Sequence, residues 1–175
     1  MLSSFTLTAD GYQFVFHNVI DAYVFDDKDP SSPHFHEGSM KAVDIIAEFS
    51  DCFLFIEMKD YRDCSEQFIE DVSEKDDPEA NKALKWLKNY LKYKFRDTYL
   101  YRYAEAGSPK KDIHYICLLS LSSGTLQTIK KTLPRELPIG KKGKRWIRVL
   151  AKSCQVVSVE GWNRTLSEYA TVTLV

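Results

Sequence analysis

The stretch Lys41-Ala-Val-Asp44-Ile-Ile-Ala-Glu-Phe-Ser-Asp-Cys-Phe-Leu-Phe-Ile-Glu57-Met-Lys59-Asp-Tyr61 decides how this chain is read. Two apolar runs, Ala42 to Phe49 and Cys52 to Met58, flank Ser50-Asp51, and two residues make the tightest hairpin loop. Closing the hairpin there sets Phe49 opposite Cys52 and Glu48 opposite Phe53, and the count ends with Asp44 opposite Glu57. Period-2 alternation puts Lys59 on the face of Glu57, with Ala42 opposite it, and turns Ile45, Ala47, Leu54 and Ile56 to the other face. Two carboxylates and an ammonium then converge on one patch. Directly opposed side chains have Cβ atoms roughly 4.5–5.5 Å apart, where like charges repel. A hard divalent cation such as Mg²⁺, held by one or two carboxylates and open to phosphate oxygens, would offset that repulsion. Lys59 beside it would stabilise developing negative charge or help position an attacking water, chemistry that suits phosphodiester hydrolysis. The bland alternative is an ion pair of Lys59 with Glu57 or Asp44 at a strand end.

Outward from this hairpin, Phe5 to Phe16 alternates apolar and polar residues around Asp10-Gly11 and reads as a hairpin or a strand, followed by an ambiguous segment from Val19 to Phe25. Residues 26–39 hold three Asp, two Pro and two His and read as a loop. Residues 61–81 are acidic, interrupted by Pro78, and predict a short helix and a loop. Ala83 to Tyr103 is a long helical pattern with Leu84, Leu87, Leu91, Phe95 and Thr98 or Tyr99 on one face. His114 to Leu121 has strand length, and Ser123-Gly124 leads into a helix over Thr125 to Thr132, stopped by Pro134. Trp146 to Ala151 fits helix or strand, Gln155 to Glu160 reads as a strand, and Gly161 to Tyr169 as a short closing segment. This order predicts an α/β domain with a mixed β-sheet and flanking helices.

The chain has 175 residues, 24 Lys+Arg against 25 Asp+Glu, and 44% hydrophobic residues. That balance excludes a disordered chain and predicts one globular domain over residues 1–175. There is no apolar run of membrane-spanning length, and the first residues lack the basic and apolar regions of a secretory signal. Cys52, Cys64, Cys117 and Cys154 show no C-x-x-C spacing. A reduced, cytoplasmic protein without a membrane partner is expected, in which the sequon Asn163-Arg-Thr165 has no glycosylation to receive. Near-neutral charge hides an asymmetry: residues 57–79 are acidic, whereas Lys82 to Arg102 and Lys141 to Lys152 each carry a basic cluster. Either basic cluster could face a phosphate backbone or be an ordinary solvated face.

Asp44, followed after twelve residues by Glu57-Met58-Lys59 on a hairpin of apolar strands, resembles the PD-(D/E)XK nuclease superfamily. Its signature is an Asp followed by Glu-x-Lys on adjoining strands. The resemblance implies a restriction-endonuclease-like core over most of the chain. It makes Asp44 and Glu57 ligands of Mg²⁺ or Mn²⁺, the Met58 carbonyl a further ligand, and Lys59 the catalytic lysine. Val43 stands where the name-giving Pro would be, a position outside the chemistry. Many members add an acidic residue from a first helix; no such helix is read here, and Asp21, Asp26 and Glu37 are the stand-ins. Many also place a polar or basic residue of the following helix near the site. Lys94, on or beside the apolar stripe, is the candidate here, with Asp97 next to it. A lysine that snorkels outward is the alternative. His34 and His36 could add a ligand or a phosphate contact, or be plain exposed loop residues. Trp86, Trp146 and Trp162 could stack on bases, although such spacings more often pack cores.

The function expected is a Mg²⁺-dependent nuclease, with DNA placed ahead of RNA as substrate, acting alone, as a homodimer or within a larger assembly. The alternative is a catalytically silent relative that binds nucleic acid or protein. A third reading, an immunity or structural subunit using the acidic stretch from Asp60 to Glu79 as a partner surface, rests on composition alone.

Overall fold

Asp10 and Gly11 both take positive φ, 47° and 76°. That is the backbone of the two-residue turn whose twist matches a hairpin. They join β1 (Ser4–Ala9) to β2 (Tyr12–His17), with Ala9 paired to Tyr12. The computed structural model describes residues 4–35, 40–61, 78–106, 110–140 and 144–175, and the side chains of 78–80 are outside that description. The ambiguous segment becomes β3 (Asp21–Val24), and the central hairpin becomes β4 (Ile45–Glu48) and β5 (Cys52–Asp60). Then come α1 (Pro78–Ala106), β6 (Asp112–Ser120), α2 (Ser123–Glu136), β7 (Ser153–Val157), α3 (Val159–Thr165) and β8 (Ala170–Leu174).

Strands β3-β4-β5-β6-β7 form one mixed sheet, antiparallel from β3 to β5 and parallel from β5 to β7. A parallel pair needs a crossover, and α1 supplies it between β5 and β6, as α2 does between β6 and β7. On one face, Leu87, Leu91 and Phe95 of α1 and Ile129 and Leu133 of α2 pack against Phe55, Tyr115 and Cys117. On the other face, Ile45, Leu54, Ile56 and Leu118 meet Tyr12, Phe14 and Phe16 of a second sheet, ordered β1-β2-β8, and Trp162 of α3. The Trp162 ring meets Phe14 edge-on at 5.4 Å, and its Nε1–H donates to the Ala170 carbonyl at 2.8 Å. Asn163 uses its amide on the Val172 backbone, donating to the carbonyl and accepting from the N–H, each at 2.8 Å, so this sequon side chain holds β8 in place.

Several expectations shift. β8 lies beyond the last segment read from the sequence, and in it Ala170 and Val172 are buried and Thr171 and Thr173 exposed in strict alternation. Trp146 to Ala151 is neither helix nor strand and touches the ladder system only through an isolated bridge between Ile139 and Ala151. Helix α2 runs through Pro134, which lies in its last turn, where the missing N–H removes one bond shortly before the helix ends. At its start, Ser122 caps the helix by accepting from the Thr125 N–H at 3.4 Å. Helix α1 extends beyond the apolar pattern at both ends. The short helix expected within 61–81 falls largely on residues 62–77, outside the described residues, as do Cys64, His36, Glu37, Lys141 and Lys142. Among the described residues no helix is long and apolar enough to cross a membrane.

Candidate functional site

The hairpin closes where the count put it: Phe49 N–H donates to the Cys52 carbonyl at 2.8 Å, and Ile45 pairs with Ile56. The same register carries Asp44 to the position opposite Glu57, one residue before β4 begins. There the chain bends, so no backbone acceptor faces Met58, and the Asp44 carboxylate takes that place, accepting from Met58 N–H at 2.6 Å. Antiparallel alternation sends the Met58 carbonyl to the same side as its N–H, toward Asp44. Glu57 is fully buried, 0% exposed, between the sheet and α1.

Helix α1 contributes the next group. Lys94 is 3% exposed, and its Nζ lies 3.2 Å from Asp26 Oδ2, 3.4 Å from Asp44 Oδ1 and 3.2 Å from Glu57 Oε2. One ammonium therefore sits among three carboxylates. The approach to Glu57 is an ion pair by distance, but its angle leaves both Glu57 oxygens without an aligned hydrogen bond. Thr98, one turn on, fixes the helix against the hairpin: its hydroxyl donates to the Lys94 carbonyl at 2.7 Å and accepts from Val43 N–H at 2.9 Å. Lys59 is half-buried, its Nζ 3.8 Å from Glu57 Oε1. The Tyr90 ring, one turn before Lys94, gathers three cations over its surroundings: Lys59 at 5.0 Å from the centroid, and Lys94 and Lys41 at 5.5 Å each.

Burial sets the electrostatics. It pushes the Glu57 carboxyl well above the ordinary carboxylate range, and Asp44 beside it pushes the same way, against the pull of Lys94 and Lys59. Asp44 is raised too, again by burial, with Lys94 and the Met58 N–H opposing. For Asp26 burial raises, but Lys94 and Lys28 outweigh it and hold the carboxyl below its usual value. Burial alone would lower Lys94 and Lys59, yet Glu57 and its neighbours win, and both stay ammonium. Burial, the first cause at both, thus favours the neutral forms of Asp44 and Glu57, and the upward push is the stronger at Glu57.

The structure thus brings Asp44, Glu57, Lys59 and Met58 together and turns Lys94 inward, one of the two orientations the sequence left open for it. Asp97 stays apart, accepting from Lys41 N–H at 2.9 Å. Of the three acidic stand-ins, Asp26 joins the cluster through Lys94, whereas Asp21 pairs with Glu48 at the far end of β4. His34 stacks on Tyr23, with ring centroids 4.0 Å apart. Trp162 is core and Trp86 is exposed. Sequence reasoning missed Tyr90 as a member of the site and gave Thr98 only a packing role. The signal was present, since Tyr90, Lys94 and Thr98 recur every four residues on one helical face.

Among the described residues no group of three or more His, Cys, Asp or Glu side chains is arranged to hold a metal ion. The three carboxylates close on the Lys94 ammonium instead. One feature nevertheless fits a divalent ion at Asp44 and Glu57: Glu57 keeps two buried oxygens with no hydrogen-bond donor. No family model matches this chain, and neither a curated protein nor a solved structure matches it.

Proposed function

We propose that this protein is a metal-dependent nuclease with a restriction-endonuclease-like core, hydrolysing phosphodiester bonds of nucleic acid, DNA ahead of RNA. The observation that carries the reading is the pair of buried, opposed carboxylates Asp44 and Glu57, the latter without a hydrogen-bond donor, with Lys59 ending the same strand. The order of elements supports it as well. An antiparallel hairpin carries the acids, a helix follows the Glu-x-Lys strand, and the next strand returns parallel to it. Asp44, Glu57 and the Met58 carbonyl would hold Mg²⁺ or Mn²⁺, which when bound polarises a phosphate oxygen and lowers the pKa of a coordinated water. Glu57 and Tyr90 outweigh the burial of Lys59 and raise its pKa. Its part would be that of a donor that orients the attacking water and faces the growing charge on phosphate. Lys94 steadies Asp44 and Glu57 in their opposed positions.

Lys94 also favours a second reading. An ammonium within 3.4 Å of Asp26, Asp44 and Glu57 offsets the repulsion that motivates a metal, as in a catalytically silent module of this fold that binds nucleic acid. Calorimetric titration of Mn²⁺ and Mg²⁺ into the wild type and Glu57→Gln, followed by assays on labelled DNA and RNA, separates the two. Metal uptake and cleavage in the wild type, both lost in Glu57→Gln, are the expected results. A wild type that takes up neither ion overturns the nuclease reading.

A further inference from the structure

Away from the carboxylates, on the side of α1 that faces α2, lies a cleft of about 540 Å³. Its floor is apolar and aromatic, with Phe95, Tyr99 and Trp146 among its lining, and Arg96 and Arg135 stand at it from α1 and α2. Among the described residues neither guanidinium is paired with a carboxylate. Arg96 lies over the Tyr93 ring, 5.6 Å from its centroid. The acid that lines the cleft, Glu136, is already neutralised twice, by Lys88 at 2.8 Å and Lys92 at 2.7 Å. The site thus joins an aromatic surface to two uncommitted fork-shaped anion binders within the volume of an ordinary ligand pocket. Arg96 of the first basic cluster lines it, and the segment that carries the second contributes Trp146 and Leu150.

We infer that this cleft binds one unpaired nucleotide of a single-stranded nucleic acid, its base lying against Trp146 and Tyr99 and its phosphate between Arg96 and Arg135. A neutral apolar ligand would use the floor and leave two charges idle, and a free inorganic anion would leave the aromatic floor idle. A nucleotide uses both. A base in a duplex cannot expose its face, so the cleft selects single strands. This goes beyond the nuclease reading, since the binding needs neither Glu57 nor a metal.

The test is fluorescence anisotropy of a labelled oligothymidylate in EDTA, where hydrolysis has no part, against the same strand paired with its complement and with free thymidine monophosphate as competitor. The single strand should bind more tightly than the duplex. Trp146→Ala should weaken binding about 5- to 150-fold, the range for removing one stacking platform, while Trp146→Phe keeps most of it. Arg96→Ala and Arg135→Ala, both at exposed positions, should each weaken binding and reduce the salt slope by about 0.7. Arg164→Ala, on α3 at the opposite face, should do neither. Wild-type binding of duplex as tight as single strand, or arginine variants indistinguishable from Arg164→Ala, would overturn the inference. Competition by the monophosphate at concentrations comparable to the strand would overturn the strand as the natural ligand. None of these outcomes bears on metal uptake at Glu57, so this inference and the nuclease reading fail separately.

Discussion

Lys94 brings a charge into a place where 3% of the residue is exposed, and three carboxylates receive it. Removing one partner of a buried ionic group leaves the others without compensation, which costs about 3–5 kcal/mol. Lys94→Met, which keeps the stem volume, should therefore lower stability by about that much in EDTA, read as the denaturant midpoint. Mn²⁺ should restore part of the loss, because the ion replaces the ammonium among the same oxygens. A variant as stable as the wild type in EDTA would mean that bound protons, and not Lys94, keep the carboxylates together. Glu57 gives a prediction in pH. Its folded-state pKa lies well above the ordinary 4.5, so above that pH the folded state holds a proton that the unfolded state has released. The contribution of this proton is present below about pH 4.5 and is lost as pH rises through the raised value. Glu57→Gln should flatten that part of the stability profile measured without metal, and an unchanged profile would place the proton elsewhere. At this scale the sequence was informative because charges embedded in apolar runs need partners. The partner itself was less visible: Asp26 lies 18 residues before Asp44 in a polar loop, and nothing local separates it from Asp27 or Asp29.

Helix α1 presents one row to the carboxylates, Tyr90, Lys94 and Thr98, and another to α2, Lys88, Lys92 and Arg96. Thr98 joins helix to hairpin through a single hydroxyl that both donates and accepts. Thr98→Val keeps the shape and leaves the buried Val43 N–H without an acceptor, which costs about 1–3 kcal/mol. Chemical denaturation should show that loss, and amide exchange should show Val43 opening faster while the β4–β5 ladder stays protected. Protection unchanged at Val43 would mean that another acceptor serves it. The hairpin was readable from the chain alone because a two-residue loop and period-2 patterning fix the register with no help from outside. The same residues could not show that Trp146 to Ala151 lacks regular structure, since a short apolar run fits either period and only its placement along the α1–α2 cleft decides. Pro134 misled for a related reason: a proline ends a helix interior, but near the last turn the helix has little left to lose.

Two sheets and two helix-bearing faces give the whole molecule three layers, and the outermost is assembled from both ends of the described chain. The β1–β2 hairpin pairs with β8, Tyr12 opposite Leu174 and Phe16 opposite Ala170. That sheet covers Ile45, Leu54 and Ile56 on the face away from the carboxylates. A chain ending at Tyr169 should lose this cover along with the Trp162 and Asn163 anchors. It should unfold with a broadened transition and bind a hydrophobic dye, whereas a sharp wild-type-like transition would show that β8 is dispensable. The mixed sheet and its flanking helices were legible in the sequence because each follows from a local period. The second sheet was not, because its closing pair joins residues about 150 apart and no window along the chain contains both. That separation has a consequence on the ribosome. At about 5–20 residues per second, β2 emerges roughly 8–30 seconds before its partner, and through that time Tyr12, Phe14 and Phe16 face water or whatever binds nascent chains. The late-made β8 is thus the strand that shields the β1–β2 hairpin from unwanted association.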